Sequence, residues 1–452
     1  MRQTTSIQLS DHFTYGRLIR FTIPSIAMMI FTSIYGVVDG VFVSNYVGGT
    51  PFAALNLIMP FIMVFSAVGF MFGTGGSALV AFTLGTGRKE RANEIFSLLI
   101  YLVAGIGLVL SVIGWMTAVP MAKLLGATET MLPYCVLYAR INMIGLVPFM
   151  LQNSFQSFLI TAERPKIGLW VTIAAGVTNM LLDWLLMGVL HMGLGSAAAA
   201  TVIGQFVGGG IPLVYFLLPN RSLLRLGKTR FYASSVVKAA TNGSSEFMSN
   251  LSMSLVNMLY NWQLMRYAGE NGVSAYGIIM YTNFIFVGVF LGYSFGVAPI
   301  AGYHCGSGNR KELSNVFGKS MTMIGGAAVV MTLLSEWLAP YLSMIFARSD
   351  PALMELTTGA IRIYSLSFLL MGFNMFGSAF FTALNNGVVS AVISFLRALV
   401  FEVLSVLLLP SWFGLNGIWS SIVSAELLSI LVTGFCLWHF RRKYGYMEFS
   451  DT

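Results

Sequence analysis

The sequence predicts an all-α integral membrane protein. Its twelve transmembrane helices form two six-helix bundles related by a pseudo-twofold axis along the membrane normal. Three observations lead to this class. Of 452 residues, 56% are apolar and only 9% are charged, where a soluble domain carries roughly a quarter charged. Apolar stretches of about 20 residues, enough to cross a bilayer, recur along the whole chain. The two halves also repeat at one constant offset of 221 positions. This composition excludes a soluble globular enzyme. It excludes a disordered chain equally, since disorder needs low hydrophobicity with high charge.

The first-half spans are expected at 17–43, 53–84, 94–119, 131–160, 167–189 and 194–218, and those of the second half at 236–265, 274–303, 316–345, 357–384, 388–409 and 415–439. The N-terminal stretch is polar and lacks a short apolar segment followed by a small-residue cleavage site. The first span is therefore expected to stay in the protein. Several spans exceed 25 residues, which predicts tilted or bent helices. The fifth and eleventh are the shortest.

Basic residues set the orientation. Arg2, Arg17 and Arg20 precede or open the first span, Arg88, Lys89 and Arg91 follow the second, and Arg164 and Lys166 follow the fourth. Five more surround the middle connection, Arg310, Lys311 and Lys319 follow the eighth span, and Arg441, Arg442 and Lys443 end the twelfth. Nineteen of the 25 Lys and Arg thus fall on one side, with Lys123, Arg266, Arg348 and Arg362 near the other. The positive-inside rule then puts both termini in the cytoplasm. The net charge of +8 is assigned to loops facing anionic lipid headgroups, and nucleic acid is not an expected partner.

The repeat pairs Tyr46 with Tyr267, Gly48 with Gly269, Gly75 with Gly296, and Gly85 and Gly87 with Gly306 and Gly308. It also pairs Asn153, Ser157 and Thr161 with Asn374, Ser378 and Thr382, and Gly193 with Gly414. Six spans per half keep both halves in the same orientation, the arrangement used for alternating access around a midplane cavity. Residues 1–218 form the expected N-terminal bundle, 219–235 a basic cytoplasmic linker, and 236–452 the C-terminal bundle.

The chain has no GxxxxGK[ST] phosphate loop. The glycine-rich GTGRKE at 85–90 recurs as GSGNRKE at 306–312 and reads as a turn after a long helix. There is no HExxH motif, and no nucleophile–base pair stands out. Cys135, Cys305 and Cys436, like the four histidines, are scattered, which argues against a disulfide framework or a structural metal. The protein is therefore not expected to be an enzyme or to carry a cofactor, and an ion gradient is the expected energy source.

Charges inside spans usually mark pathways or pairs. Asp39 lies in span one and Asp183 in span five. Tyr35 and Asp39, Asn179 and Asp183, and Thr201 and Gln205 are each spaced i,i+4 and share a helix face. Gln152 and Asn153 add polar atoms on span four. If these faces converge, they make a cation-coupling pocket with two carboxylates, able to exchange a proton or to hold a Na⁺ ion. The plain alternative is that each Asp caps a broken helix or pairs with Arg140. In the second half Tyr260 and Leu404 stand opposite Asp39 and Asp183, so ion coupling is expected to be asymmetric. Span seven carries Glu246, Asn250, Asn257 and Asn261, a polar stripe expected to face the interior and attract a cationic substrate or an ion. The expected substrate-binding residues are Asp39, Asp183, Glu246, Gln152, Asn257 and Asn261. Glu402 and Arg397 on span eleven suggest structural pairing. Glu426 on span twelve has no assigned role.

YGVVDGVFVSNYVG in span one, NMLLDWLL in span five, the following MGLGSAAAATVIGQ, and Glu246 resemble the motifs of the multidrug and toxic compound extrusion family. The resemblance covers the whole chain and leans towards the MepA-like bacterial branch. It implies a multi-pass antiporter of the bacterial cytoplasmic (inner) membrane, monomeric in the bilayer, that exports bulky, often cationic amphipathic compounds against inward H⁺ or Na⁺ flow. By analogy, Tyr35, Asp39, Asn179, Asp183 and Thr201 would form its first-half cation site. Some Na⁺-coupled members carry an acid in span ten, where this chain has Asn374, so protons are preferred over sodium. The competing cargo is a lipid-linked or polar metabolite carried by a related flippase, which would want a more basic cavity.

Overall fold

The structure is a computed structural model that describes residues 7–347 and 350–447. Arg2 and Arg348 lie outside the described residues. Among those described there is no strand, and the helices account for twelve crossings. The first three are α1 (Tyr15–Tyr46), α2 (Gly49–Gly85) and α3 (Lys89–Leu124). The fourth is a pair, α4 (Leu132–Ile144) and α5 (Leu146–Thr161), bent by 56° at Gly145. α6 (Pro165–Asp183) continues into a π-helical stretch, Trp184–Val189, to make the fifth, and α7 (Leu194–Leu217) is the sixth. α8 (Ala233–Gly306) holds two crossings, and α9 (Arg310–Ala347) is the ninth. The tenth is again a pair, α10 (Pro351–Ser365) and α11 (Phe368–Ala383), bent by 48°. α12 (Gly387–Phe395) and α13 (Glu402–Trp419) flank the π-helical Leu396–Phe401 in the eleventh, and α14 (Ser421–Tyr444) is the twelfth.

α8 cannot be straight. At 1.5 Å per residue its 74 residues would reach about 110 Å, against about 30 Å of hydrocarbon. The chain reverses at Gly269, which has φ 61° and ψ −149°. The Tyr260 and Tyr276 rings stack at 4.8 Å and the Tyr276 hydroxyl donates to Asn257 Oδ1 at 2.8 Å, contacts possible only if the two arms lie side by side. Gly48, the repeat partner of Gly269, also has positive φ, at 92°. The breaks in the fourth and tenth crossings, at Gly145 and next to Leu366, are likewise 221 positions apart.

The halves meet through small residues. A Cβ on Gly75 would overlap the backbone of Ala239 and Gly243, and one on Gly296 would press into Thr22. Gly296 is the repeat partner of Gly75, and Thr22 of Gly243, so this is one contact used twice about the pseudo-twofold axis. Close backbone approach of this kind is what small residues permit in helix pairs. At the ends bearing the basic loops, a Cβ on Gly85 would overlap the Tyr303 carbonyl, and one on Gly306 would overlap the Phe82 carbonyl. Towards the other face, Gly36, Gly40, Gly269 and Gly277 have nothing within 4 Å of the same position.

The basic face is further closed by the N-terminal segment. The Leu9 N–H donates to Glu163 at 2.6 Å and the Phe13 N–H to Glu312 at 2.8 Å. His12 pairs with Glu312 at 2.6 Å. Lys319 and Asn315 donate to the Phe13 carbonyl at 2.7 and 3.0 Å. Glu163 precedes α6 in the first half, whereas Glu312, Asn315 and Lys319 open α9 in the second. The connection between α7 and α8 is pinned to α3: Asn93 accepts from the Arg225 N–H at 2.7 Å, and Glu94 accepts from the Tyr232 hydroxyl at 2.9 Å.

Candidate functional site

Within the first half, α1, α4, α5, α6 and α7 surround one polar cluster. Asp39 on α1 and Asp183 at the end of α6 stand beside each other and beside Asn179. Asp183 is fully buried and Asn179 is 4% exposed. Among the described residues, neither oxygen of Asp183, nor Oδ1 of Asp39, has a hydrogen-bond donor, and Asn179 Oδ1 has none either. Asn179 Nδ2 reaches Thr201 Oγ1 of α7 at 3.5 Å. Tyr35 lies one turn before Asp39 and next to Gln152 of α5. Its ring rests on Gly176, where a Cβ would crowd both Tyr35 and Phe31.

Asn153 is buried with Nδ2 unpartnered, and Gln205 is buried with Oε1 unpartnered. Arg140 forms no ion pair with either aspartate among the described residues; its guanidinium lies 4.3 Å from the Trp115 ring centroid. The sequence reading missed Tyr138 of α4, which is 1% exposed and within electrostatic reach of both acids. A tyrosine in an apolar segment without an acid on its own helix gives no signal of its own.

Buried carboxylate oxygens without donors are uncommon and need an explanation. Two carboxylates side by side in a low-dielectric surrounding repel and lack solvation. A proton held between them, or a small cation bound to both, removes both difficulties.

The second site lies between the halves. Thr74 and Ser77 of α2, Ser157 of α5, Glu246 of α8 and Thr382 of α11 line a cleft. It lies above the crossing of Gly85 and Gly306, about ten residues along α2 and so about 15 Å away. Glu246 is its acid. Asn250, one turn on, donates to the Glu246 backbone carbonyl at 2.8 Å and not to the carboxylate. The remaining polar residues of span seven lie apart from the cleft. Asn257 accepts from Tyr276, and Asn261 is exposed.

In the second half, Glu426 is 1% exposed. It accepts from Asn374 Nδ2 at 2.7 Å and from Arg397 Nε at 2.8 Å. Glu426 is the repeat partner of Gln205, and Asn374 that of Asn153. The bond present in the second half therefore corresponds to two unpartnered atoms in the first. α12 begins 222 positions after α6, so the residue opposite Asp183 is Leu404 or Ser405; neither is an acid. Among the described residues no three His, Cys, Asp or Glu are placed to hold a metal ion, and the cysteines are free.

Comparison with known proteins gives the fold a context. The family model described as MatE matches residues 24–185 and again 247–407. The multidrug export protein MepA of Staphylococcus haemolyticus is 23% identical over 98% of this chain and 97% of its own length. That of Staphylococcus aureus strain MRSA252 is 22% identical over 92% of each. Among solved structures, a MATE protein in complex with MaL6 superposes with a TM-score of 0.91 at 21% identity, covering 97% of this chain and 98% of that one. An outward-facing multidrug resistance MATE family transporter gives 0.85 at 22% identity and 98% coverage of each.

Proposed function

Because this chain belongs to the MatE family of membrane transporters, we propose that it is a secondary active multidrug exporter. It carries bulky amphipathic, often cationic compounds by alternating access, in antiport with a cation, H⁺ in preference to Na⁺. It works as a monomer in a bacterial cytoplasmic membrane, with both termini and the basic face in the cytoplasm. The arrangement described above is then outward-facing, with its cytoplasmic ends closed.

The observation that carries this reading is the juxtaposition of Asp39 and Asp183 with orphaned buried oxygens. A proton shared by two adjacent carboxyls satisfies those oxygens without further ligands. Export of a cation is supported by Glu246, the acid in the cleft between the halves. A flippase for anionic headgroups would present basic groups there. In the cycle, a proton taken up from outside and shared by the two carboxylates removes half of the charge of the pair and lets α1 repack at Pro24, the proline inside that helix. Substrate leaves outwards, the halves exchange their closed ends, and proton loss to the cytoplasm restores the anion. One net charge moving inward through 100 mV supplies about 2.3 kcal/mol, enough for a roughly fiftyfold gradient of an uncharged compound, whereas export of a monovalent cation against one proton draws on the pH gradient alone.

Dye efflux from proteoliposomes under separately imposed H⁺ and Na⁺ gradients tests the proposal. The H⁺ gradient is expected to drive efflux and Asp39→Asn to abolish it with expression intact. Efflux driven only by Na⁺ would overturn the choice of ion. Undiminished efflux in Asp39→Asn would remove the aspartate pair from the mechanism.

A further inference from the structure

Two arginines lie well inside the crossings, and the fold treats them differently. Arg397 is held by Glu426. Arg140 of α4 forms no ion pair among the described residues. Its guanidinium lies over the Trp115 ring of α3, 4.3 Å from the centroid. Nε is covered and has no acceptor among the described residues, whereas the terminal nitrogens are not enclosed. The repeat partner of Arg140 is Ile361, an apolar residue buried in the second half.

Arg140 points away from the interior of the bundle. Leu137 and Ile144, three residues before it and four after, share its helix face, and both are exposed. On α3, Val112, Trp115 and Met116 make the matching exposed stripe. Apolar stripes on the outside of a spanning bundle face acyl chains, where an unpaired charge is costly. Gly114 of α3 packs on Met143 of α4, so the two stripes meet in a shallow groove with Arg140 and Trp115 in it. Helical side chains lean towards the helix N-terminus, and α4 starts at the face opposite the basic loops. Arg140 therefore reaches towards that face from eight residues below Leu132, a depth of about 12 Å. Lys123 stands two turns beyond Trp115 in the last turn of α3. It is exposed and has no ion pair among the described residues.

We propose that the groove between α3 and α4 binds an anionic phospholipid of the leaflet opposite the basic face, with its phosphate on the Arg140 guanidinium and its headgroup turned towards Lys123. A guanidinium among acyl chains needs an anion, and the two free oxygens of a phosphodiester match the fork of its terminal nitrogens. Trp115 covers one face of the guanidinium and fixes its plane. A zwitterionic lipid would bring a second cation towards Lys123, so the anionic class fits better. The bound lipid braces the outer arm of the fourth crossing against α3, five residues from the bend at Gly145. Neither the exported compound nor the coupling ion takes part in this contact.

The test uses the purified full chain in detergent, titrated with dioleoylphosphatidylglycerol or with dioleoylphosphatidylcholine. Native mass spectrometry counts the lipids retained, and thermal unfolding reads their effect. The unaltered chain is expected to retain one phosphatidylglycerol at a concentration about fivefold lower than it needs for phosphatidylcholine, and to unfold later with the former. Arg140→Gln removes both the preference and the extra protection. In phosphatidylcholine it unfolds no earlier than the unaltered chain, since it replaces an unpaired charge. Arg140→Lys, which keeps the charge without the fork, guards against misfolding of the Gln variant and retains the preference in part. Lys228→Gln with Arg230→Gln, which takes two charges from the basic face, leaves the preference intact.

An undiminished preference in Arg140→Gln, or none at all in a folded Arg140→Lys, overturns the site. So does a loss in the basic-face variant as large as that in Arg140→Gln. Earlier unfolding of Arg140→Gln by the same margin in both lipids would give Arg140 a packing role and overturn it equally. Protection by inorganic phosphate as strong as that by phosphatidylglycerol would make the ligand a soluble anion and overturn the lipid.

Discussion

Gly85 and Gly306 stand at equivalent places in the two halves, and each presses on the backbone of the other's helix, at Tyr303 and at Phe82. No side chain fits at either position without separating α2 from α8. A valine at Gly85 is expected to weaken this closure by roughly 1–3 kcal/mol, a shift of about 5-fold to 150-fold in favour of states open on the basic face. A membrane-impermeant thiol reagent applied from that face, acting on Ser77→Cys in a chain without its native cysteines, reads the shift. Equal labelling rates with and without Gly85→Val would mean that this crossing is not the gate.

The aspartate pair predicts a conflict between stability and activity. Asp183→Asn removes one of two adjacent buried carboxyls and supplies an amide donor for an orphaned oxygen. It is expected to stabilise the folded protein by about 1–3 kcal/mol while ending coupled efflux. Thermal unfolding in detergent gives the first quantity and proteoliposome efflux the second. A destabilised Asp183→Asn would show that the oxygens are satisfied in the resting protein.

Glu246 predicts charge selectivity. In the cleft between the halves it is the acid positioned to attract a cation. Glu246→Gln is expected to weaken binding of a cationic dye by roughly tenfold or more, in keeping with a charge–charge term of a few kcal/mol near a partly wet surface, and to leave a neutral dye of similar shape unaffected. Equal losses for both dyes would assign Glu246 a packing role.

The Arg397–Glu426 pair predicts a rescue. Removing one partner leaves a buried uncompensated charge and costs about 3–5 kcal/mol. Arg397→Met alone is expected to express poorly, and Arg397→Met with Glu426→Gln to recover most of the yield. Size-exclusion profiles of the two variants decide the matter. Poor folding of both would show that the arginine is needed for more than Glu426.

The twelve crossings were legible because apolar length is a property of single segments, and the 221-residue repeat because glycines cannot be replaced where backbones touch. Gly75, Gly85, Gly296 and Gly306 carried the repeat in the sequence, and all four pack at the junction of the halves. Helical spacing grouped Tyr35 with Asp39 and Asn179 with Asp183, but only the packed structure puts one pair beside the other. The lengths of spans 131–160 and 357–384 pointed to tilt or bending, but the positions of the breaks next to Gly145 and Leu366 were not legible, since a bend held by neighbouring helices needs no proline at the bend. The contacts of Ser378 on α11 with Ser390 and Ser394 on α12, at 2.9 and 2.8 Å, were equally hidden, since serines are ordinary residues until two helices bring them together. Asn261, which spacing put on the same polar stripe as Asn257, is exposed near the reversal at Gly269.

The N-terminal segment imposes an order on biogenesis. Leu9 and Phe13 leave the ribosome first, yet Glu312, Asn315 and Lys319, which hold Phe13, emerge some three hundred residues later. Until then, among the described residues, the hydrogen bond from this segment to the first half beyond α1 is that of Leu9 to Glu163, beside apolar contact with the cluster around Ile160. A nascent chain stalled anywhere before the ninth crossing therefore keeps a loose leading end. Its fastening reports that the ninth helix has been inserted and that both halves have met.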